Sequence, residues 1–304
     1  MIDLLPSEVE QQIIDGVAGF LAEELPLARL RPGPDGERSA DIGISAEQWH
    51  EIAGLGWFGL GIPEERGGAG FTVVAEMLVV REVGRYAVSP SISATIAAAC
   101  LAARADSELL AGLLAGERRV AFASRLCAGS DEYHLVDARG ADHLLVVDGM
   151  QAQLYGAAAF GEVRPVISLD DAVTLERARL TAGARPLLQE ADSDIGHRAS
   201  LHNSAQLLGV AEGALTLSVE YAKVREQFGQ AIGSFQTIKH RCADMAVMAE
   251  AAYAQAFFAG LSQAGGQRDA AYQIAAAKVI CAEAALANAR SGIQIHGGIG
   301  FTAE

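Results

Sequence analysis

The chain has few basic residues for its size. Among 304 residues, 23 are Lys or Arg and 38 are Asp or Glu, which gives a formal net charge of −15. A nucleic-acid-binding surface needs clustered Lys and Arg to neutralise phosphates, so this balance argues against a nucleic acid as partner. An anionic substrate would need a local basic pocket, because the field of the whole chain repels it.

The chain also has no closely spaced cysteines, and neither a leader nor a membrane span is predicted from its sequence. Its four cysteines, Cys100, Cys127, Cys242 and Cys281, form no C-x-x-C pair and lie in apolar or helical contexts. This pattern predicts buried free thiols, a reducing cytoplasm and no metal site. The amino terminus shows no basic segment followed by an apolar one, so no signal peptide is predicted. No uncharged apolar run reaches about 20 residues, so no membrane span is expected.

The first 115 residues carry the periodicity of helices. Apolar residues repeat at intervals of three and four over 7–25, and again over 73–85 and 93–115. Ser45, followed by Gln48 three residues later, predicts a capping box at the start of another helix. Glycines and a proline between residues 57 and 70 indicate a loop.

The pattern then changes to strands and later returns to helices. Short β-branched segments bounded by Gly or Asp occur at 120–124, 133–136, 143–148, 152–155 and 163–168. They predict a small β domain of four to six strands. Three long helical patterns follow, at 199–226, 234–263 and 268–296. The expected fold class is mainly α with a small β domain, divided into helical 1–117, β 118–187 and a helical bundle 188–304.

Two motifs in the last helical region carry most of the functional information. One is Tyr221-Ala-Lys-Val-Arg-Glu-Gln-Phe-Gly-Gln230, followed by Ser234-Phe-Gln236. The other is Gln294-Ile-His-Gly-Gly-Ile-Gly-Phe-Thr302. A Gly-Gly after a helix is commonly only a C-cap, and an Arg at a helix end is commonly a solvated charge. The two motifs together, in this order and spacing, favour a binding function over those structural roles.

With Pro63-Glu-Glu-Arg-Gly-Gly-Ala-Gly70 and Arg81-Glu-Val-Gly-Arg85, these motifs resemble the acyl-CoA dehydrogenase family. The resemblance covers roughly residues 40–105 and 199–304. It implies an N-terminal helical domain, a middle β domain that is reduced here, and a C-terminal helical bundle.

In this family FAD lies across a subunit interface, and the resemblance implies that this chain supplies the half that binds its adenosine diphosphate. The implied cofactor-binding residues are Arg225, Gln227, Phe228, Gln236, Gln294, Gly297 and Gly298. Arg225 would pair with the pyrophosphate, since a guanidinium fork suits two phosphate oxygens. Gln227 and Phe228 would flank it, and Gln236 would bond the ribityl or phosphate region. Gln294 and the two glycines would line the adenosine end, whereas His296 is expected to be structural.

The middle of the chain departs from the family pattern. Members that hold their own flavin usually carry Thr-Glu-x-x-x-Gly-Ser-Asp and an aromatic-x-Trp-Ile stretch, which bind and cover the isoalloxazine. Here Gly129-Ser-Asp131 is a partial match, no Trp follows Trp57, and the β segment is short. The sequence therefore predicts that this chain does not hold the isoalloxazine ring alone.

The expected catalytic base is also missing. The family's reaction removes the α-proton of an acyl thioester with a carboxylate while a hydride leaves the β-carbon. One family position for this base lies past Glu304, and counting back from Arg225 places the other at Ala199-Ser200, where no carboxylate stands. Asp192, Asp194 and Glu304 remain weaker candidates, so the catalytic residue is unknown.

The resemblance implies a subunit of an FAD-dependent acyl-CoA dehydrogenase that introduces an α,β double bond into an acyl-CoA thioester. Bacterial heterotetramers of two unlike chains (α2β2), associated with steroid side-chain degradation, have such a short half-site subunit. The expected partner is a second acyl-CoA dehydrogenase-like chain. Two further hypotheses stay open: a self-sufficient homo-oligomer, and a non-catalytic scaffold or acyl-carrier-binding relative. The fold also hosts flavin monooxygenases. Neither the acyl group nor the partner's identity is predicted.

Overall fold

The computed structural model describes residues 5–31, 43–170, 172–191 and 194–301. The helices are α1 (Glu8–Glu24), α2 (Ala46–Gly54), α3 (Val73–Arg85), α4 (Ser91–Arg104), α5 (Leu109–Leu114), α6 (Asp194–Val224), α7 (Gln236–Ala264) and α8 (Ala270–His296). The strands are β1 (Val120–Arg125), β2 (Glu132–Val136), β3 (His143–Asp148), β4 (Gln151–Gly156), β5 (Phe160–Val166), β6 (Leu175–Leu180), β7 (Leu188–Glu190), β8 (Glu226–Gln227) and β9 (Gln230–Ala231). The mainly helical fold class with a β region is thus confirmed.

The described chain divides into two compact units. The first contains α1, Met77–Ala87 and the chain from Leu201 onward, and the second contains the described residues from 43 to Glu76 together with Val88–Ser200. The boundaries fall within α3 and within α6. The three-part division at residues 117 and 187 stays a prediction.

A seven-stranded sheet forms the centre of the second unit. Its strand order is β5-β6-β2-β1-β3-β4-β7, and within it β1 and β3 are parallel while the other neighbours are antiparallel. Helix α4 packs on the sheet and is buried almost throughout, because its small alanines allow close contact. Tyr133 and Phe160 meet edge to face, with ring centroids 5.3 Å apart, in a separate hydrophobic cluster.

Residues 118–187 contain six strands, β1–β6, in agreement with the predicted four to six, although only five of them were located; the seventh strand of the sheet, β7, begins at Leu188. Strand β6 was missed because its sequence, Leu-Glu-Arg-Ala-Arg-Leu, is rich in charge, and only Ala178 on it is buried. Strand β7 has three residues, too few to show an alternating pattern. The helical pattern over 93–115 is likewise interrupted, since α4 ends at Arg104 and Asp106 adopts a positive φ of 52°.

Two helices of the N-terminal region, α1 and α2, begin at capping boxes. The predicted capping box is confirmed: the Ser45 side chain accepts from the Gln48 N–H, and the Gln48 side chain accepts from the Ser45 N–H. Ser7 and Glu10 form a second box at the start of α1. Each box satisfies two amide donors that would otherwise lack acceptors.

Three long helices of the first unit are joined by one buried amide. The Asn288 side chain on α8 donates to the carbonyls of Ala211 on α6 and Met245 on α7, at 3.0 Å each. Helices α7 and α8 also bury rows of small residues, which bring the two backbones close together. These contacts fix the relative positions of α6, α7 and α8, and their ends carry the predicted site.

The expectation of four buried thiols is wrong for Cys127. Cys100 and Cys281 are buried and Cys242 is half-buried, but Cys127 is exposed. Its apolar neighbours belong to a turn just after β1 and not to a helix or strand interior. All four thiols are free, as expected.

One helical stretch of the described chain, Ala270–Gly300, is long and apolar enough to cross a membrane. Of its most apolar window, 33% is buried inside the protein. Length and composition of this kind are also typical of the core helix of a soluble protein, so they do not by themselves indicate a membrane span.

Candidate functional site

The predicted site residues lie where three helices of the first unit begin or end. Arg225 directly follows α6, Gln236 is the first residue of α7, and Gln294 lies in the last turn of α8. The ends of α6 and α8 are in contact, because the rings of Tyr221 and His296 stack with centroids 4.3 Å apart. Tyr221 also packs in one apolar cluster with Ile238 from the first turn of α7. The two sequence motifs therefore come together at one end of the helical bundle.

A tight hairpin connects α6 to α7 and projects Phe228 outward. Gln227 pairs with Gln230 across the turn, while Phe228 and Gly229 have φ values of 53° and 80°. Two successive positive φ values define the turn type that suits short hairpins, and Phe is uncommon in such a conformation. Phe228 is 93% exposed, and its ring lies edge to face with that of Phe235, with ring centroids 6.1 Å apart. A core-filling role for Phe228 is therefore excluded.

The backbone on both sides of Arg225 is fixed by hydrogen bonds. Its N–H donates to the Tyr221 carbonyl and its carbonyl accepts from the Ile232 N–H, at 2.8 Å each. The side chain is exposed, and within the described ranges it forms no ion pair with a carboxylate. A fixed backbone with an unengaged guanidinium is suited to an anionic ligand.

The start of α7 provides a second attraction for an anion. Phe235 occupies the N-cap position, and no side chain accepts from the first amides of this 29-residue helix. Uncapped amides and the helix dipole give such a terminus a partial positive charge. Together with Arg225, it is a chemically suitable place for a diphosphate.

The glycine pair leaves open space beside these groups. Gly297 ends α8 with φ 63° and ψ −131°, and its N–H donates to the carbonyls of Gln294 and Ile293. A Cβ added at Gly297 or Gly298 would meet no atom within 4 Å. The pair is thus both a helix cap and an uncrowded stretch of backbone that a ligand can approach.

His296 has the structural role expected for it. Its Nδ1 lies 2.8 Å from the Gly292 carbonyl, and its ring covers Tyr221. Sequence reasoning missed Tyr221 as the residue that joins the two motifs, and it also missed the uncapped start of α7. The absence of Ser, Thr, Asp or Asn at position 235 was the available signal for the second feature.

Among the described residues, the hydrogen bond that joins two of the seven predicted residues runs from the Gly297 N–H to the Gln294 carbonyl. The Gln227 side chain donates to the Glu226 carbonyl, and Gln236 lies 3.4 Å from His240. In the part of the chain that the structure describes, no side-chain hydrogen bond joins two of the seven. Their roles toward a cofactor therefore stay predictions.

The described residues offer no carboxylate at the expected base position of α6. The helix begins at Asp194, five residues before Ala199, and Asp194 lies 3.4 Å from the Arg104 guanidinium. Two more carboxylates that could act as the base, Asp192 and Glu304, lie outside the described residues. Neither Ala199 nor Ser200 can abstract a carbon-bound proton as a carboxylate does.

A buried carboxylate does occur in the second unit, but it is paired. Glu76 on α3 is fully buried and ion-paired with Arg198 on α6. Cys100 lies 3.7 Å from the same carboxylate oxygen, and burial followed by the charge of Glu76 raises the pKa of that thiol. Gly61 also faces this oxygen, and a Cβ there would approach it to 1.9 Å. A carboxylate stabilised by arginine in a closed space is a weak candidate for a base.

Comparison with known families agrees with this geometry. Residues 7–114 match the acyl-CoA dehydrogenase N-terminal domain, and residues 197–304 match the acyl-CoA dehydrogenase C-terminal domain. The chain is 34% identical over 305 residues to the acyl-CoA dehydrogenase IpdE2 of Mycobacterium tuberculosis, covering 99% of the chain and 89% of IpdE2. This chain belongs to the acyl-CoA dehydrogenase family. The family consists largely of oxidoreductases that act on CH–CH bonds.

A second relative is longer. The acyl-CoA dehydrogenase FadE34 of the same organism is 36% identical to this chain over 277 residues, which cover 86% of the chain. The chain spans only 38% of the length of FadE34.

Solved structures show the same fold. Butyryl-CoA dehydrogenase of Megasphaera elsdenii aligns with a TM-score of 0.82 at 22% identity, covering 99% of this chain and 91% of that chain. A variant of the Tcur3481–Tcur3483 steroid acyl-CoA dehydrogenase (ACAD) aligns with a TM-score of 0.75 at 25% identity. The alignment covers 96% of this chain and 88% of that chain.

Proposed function

We propose that the chain is a subunit of an FAD-dependent acyl-CoA dehydrogenase and contributes the half of the FAD site that binds adenosine diphosphate. The observation that carries the proposal is the position of Arg225, the uncapped start of α7 and the Gly297–Gly298 pair around one end of the bundle. Arg225 and the start of α7 carry positive charge that attracts phosphate, and the glycine pair leaves room for a flat ligand.

When bound, FAD would supply the hydride acceptor for the β-carbon of the acyl thioester. Arg225 would hold the pyrophosphate by paired N–H donors, and Gln236 would bond the adjoining oxygens. Gln294 and the two glycines would border the adenosine. The residue that takes the α-proton stays unassigned, since Ala199 and Ser200 occupy one family position for the base in α6 and the other family position lies past Glu304.

The unlike partner would meet the surface that continues from this half-site along α6. Val210, Leu217 and Val224 are exposed on α6 at intervals of seven residues, and Val224 directly precedes Arg225. Together with the exposed Phe228, these three residues form an apolar surface that extends to the Arg225 guanidinium. Such a surface on a soluble protein commonly marks an interaction site. The Tcur3481–Tcur3483 neighbour, whose name joins two proteins, supports a heteromeric assembly.

The substrate we propose is a bulky steroid whose side chain carries the CoA thioester. The support is similarity to a steroid ACAD at 25% identity over nearly the whole chain, together with the weak match of the β segment to the flavin-ring motifs. The cytoplasmic location stays a prediction.

The deciding experiment is the visible spectrum of the purified chain, alone and after co-expression with the acyl-CoA dehydrogenase-like protein encoded beside it. We expect a colourless lone chain and a yellow complex with about one FAD per pair of unlike chains. Full flavin loading of the lone chain would overturn the half-site assignment in favour of a self-sufficient homo-oligomer. Complex formation without any change in the partner's flavin content or turnover would favour a scaffold.

A further inference from the structure

A cavity of about 400 Å³ opens on the sheet of the second unit, beside strands β2, β5 and β6. Its lining includes three arginines and two glutamates: Arg164, Arg177, Arg179, Glu132 and Glu162. Small-molecule sites in proteins commonly have volumes of roughly 300–1,000 Å³ and a few convergent polar groups. This arginine pocket is formed within residues 132–179, whereas the flavin half-site is formed within residues 221–298.

Glu132 holds two of the three guanidinium groups in place. Its carboxylate accepts hydrogen bonds from Arg177 and from Arg179, the second at 3.1 Å, and Arg179 also lies 3.5 Å from Asp131. The hydrogen bond from Arg177, followed by that from Arg179, lowers the pKa of the Glu132 carboxyl. Glu132 therefore stays ionised at neutral pH and keeps the two guanidinium groups side by side in the lining.

Arg164 is the least neutralised guanidinium of the pocket. It lies directly opposite Arg177 in the register of β5 and β6, so the two side chains project from the same face of the sheet. Like charges directly opposite each other on neighbouring strands are destabilising. Within the described ranges Arg164 donates no hydrogen bond, and the carboxylate within 4 Å of it is that of Glu162, at 3.9 Å. An anion bound between Arg164 and Arg177 would remove their repulsion.

The strand that carries Arg164 is irregular next to the pocket. The register of β5 and β6 shifts between Gly161 and Arg164, and Glu162 adopts a φ of 53°, which is uncommon for a residue other than glycine. Bulges of this kind re-aim side chains and are over-represented next to active sites. Here the irregular segment contributes both Glu162 and Arg164 to the lining of one cavity.

The charges of the pocket favour a phosphate monoester as the ligand. Such a group carries a charge of about −1.5 to −2 at neutral pH and three strong acceptor oxygens. A guanidinium fork suits two of these oxygens, so Arg164 and the remaining N–H groups of Arg177 can share one phosphate. The chain as a whole has a net charge of −15, so an anion is attracted only where basic side chains converge.

We propose that the arginine pocket binds a small molecule through a phosphate monoester held between Arg164 and Arg177. Two sources carry this group: the 3′-phosphate of coenzyme A, and a free nucleotide such as AMP. The pocket is separate from the flavin half-site and does not depend on it. Only the coenzyme A source rests on the proposed function.

Isothermal titration calorimetry of the full chain with coenzyme A, dephospho-coenzyme A and AMP tests the proposal. Dephospho-coenzyme A differs from coenzyme A only in lacking the 3′-phosphate. If coenzyme A is the source, we expect it to bind at least about 10-fold more tightly than the dephospho form; if a nucleotide is the source, AMP should bind as tightly as coenzyme A. In both cases Arg164→Ala should weaken binding by about 10-fold or more, because it removes a charged hydrogen-bond donor. The matched control is Arg139→Ala, which removes an exposed arginine between β2 and β3 and should bind as the wild type does.

Three results would overturn the proposal. One is that neither coenzyme A nor AMP binds to the wild type, and another is that Arg164→Ala binds both as tightly as the wild type. The third is equal binding of coenzyme A and its dephospho form without binding of AMP. Arg225→Ala is titrated in parallel, since binding that is lost there and kept in Arg164→Ala belongs to the flavin half-site. Flavin content of the co-expressed complex, read by absorbance, tests that half-site separately, and far-UV circular dichroism verifies that the variants are folded.

Discussion

The imidazole of His296 stacks on the ring of Tyr221, with centroids 4.3 Å apart and planes inclined by 21°. One ring belongs to the last turn of α6 and the other to the last residue of α8. The stack therefore sets the distance between Arg225, four residues beyond Tyr221, and Gly297, next to His296. A ligand that bridges the two motifs depends on this spacing.

We expect this stack to contribute measurable stability. Aromatic pairs contribute about 0.5–1.5 kcal/mol beyond the burial of their area. His296→Ala should lower the free energy of unfolding by about 1 kcal/mol or more, whereas Tyr221→Phe, which keeps the ring, should be nearly neutral. A double-mutant cycle with Tyr221→Ala and urea unfolding measures the coupling. Strict additivity of the two alanine substitutions would show that the rings do not interact.

Arg225→Ala should lower the flavin content of the assembled protein and leave chain association intact. A hydrogen bond to a charged group contributes about 1.5–3 kcal/mol, so FAD affinity should fall by roughly 10- to 100-fold. The matched control is Lys223→Ala, which removes a basic residue of the same helix end that is already ion-paired with Glu220. Flavin content is read from the absorbance ratio of the purified complex, and association from its sedimentation. Equal flavin content in wild type and Arg225→Ala would exclude Arg225 as a pyrophosphate ligand.

Features with a strong local signal were predictable from sequence. The helix 73–85 and the Ser45–Gln48 box were placed correctly, because periodicity and capping act over a few residues. Strand β6 was missed because it is stabilised by pairing with β2 and β5, and its own residues carry little β signal. In the site, residue types and order were available from the motifs. Exposure of Phe228 and the Tyr221–His296 stack were not, since both depend on how distant helix ends meet.

Gly209 on α6 allows that helix to approach α3 closely, and its replacement should be costly. A Cβ at this position would lie 1.9 Å from the Arg81 carbonyl oxygen, which is backbone and cannot move aside easily. We expect Gly209→Ala to lower the free energy of unfolding by about 1–3 kcal/mol, the usual cost of overpacking. Gly16→Ala in α1 is the matched control, because nothing lies within 4 Å of its added Cβ. Alanine is the better helix former, so the control should gain about 0.5–1 kcal/mol. Equal effects of the two substitutions in urea unfolding would contradict the close approach.

Glu82, fully buried on α3, should make stability depend on pH in an unusual direction. Burial raises the pKa of this carboxyl, and the nearby Arg85 and Arg81 oppose the rise only in part. Because the folded pKa lies above the unfolded one, the contribution of Glu82 is full below the unfolded pKa of about 4.3 and is lost as pH rises through the folded pKa. Glu82→Gln, which stays neutral, should therefore gain stability relative to wild type as pH rises from about 4 to 8.

The control for this experiment is a carboxyl shifted the other way. The backbone amide of Glu47 itself, followed by the Ser45 side chain, lowers the pKa of exposed Glu47. Its contribution is present above the unfolded pKa and is lost as pH falls through the folded one, so Glu47→Gln should lose stability relative to wild type over the same rise in pH. Urea unfolding of the three proteins at intervals of one pH unit gives both differences. A difference between Glu82→Gln and wild type that stays constant or shrinks with rising pH would show that the arginines outweigh burial at this site.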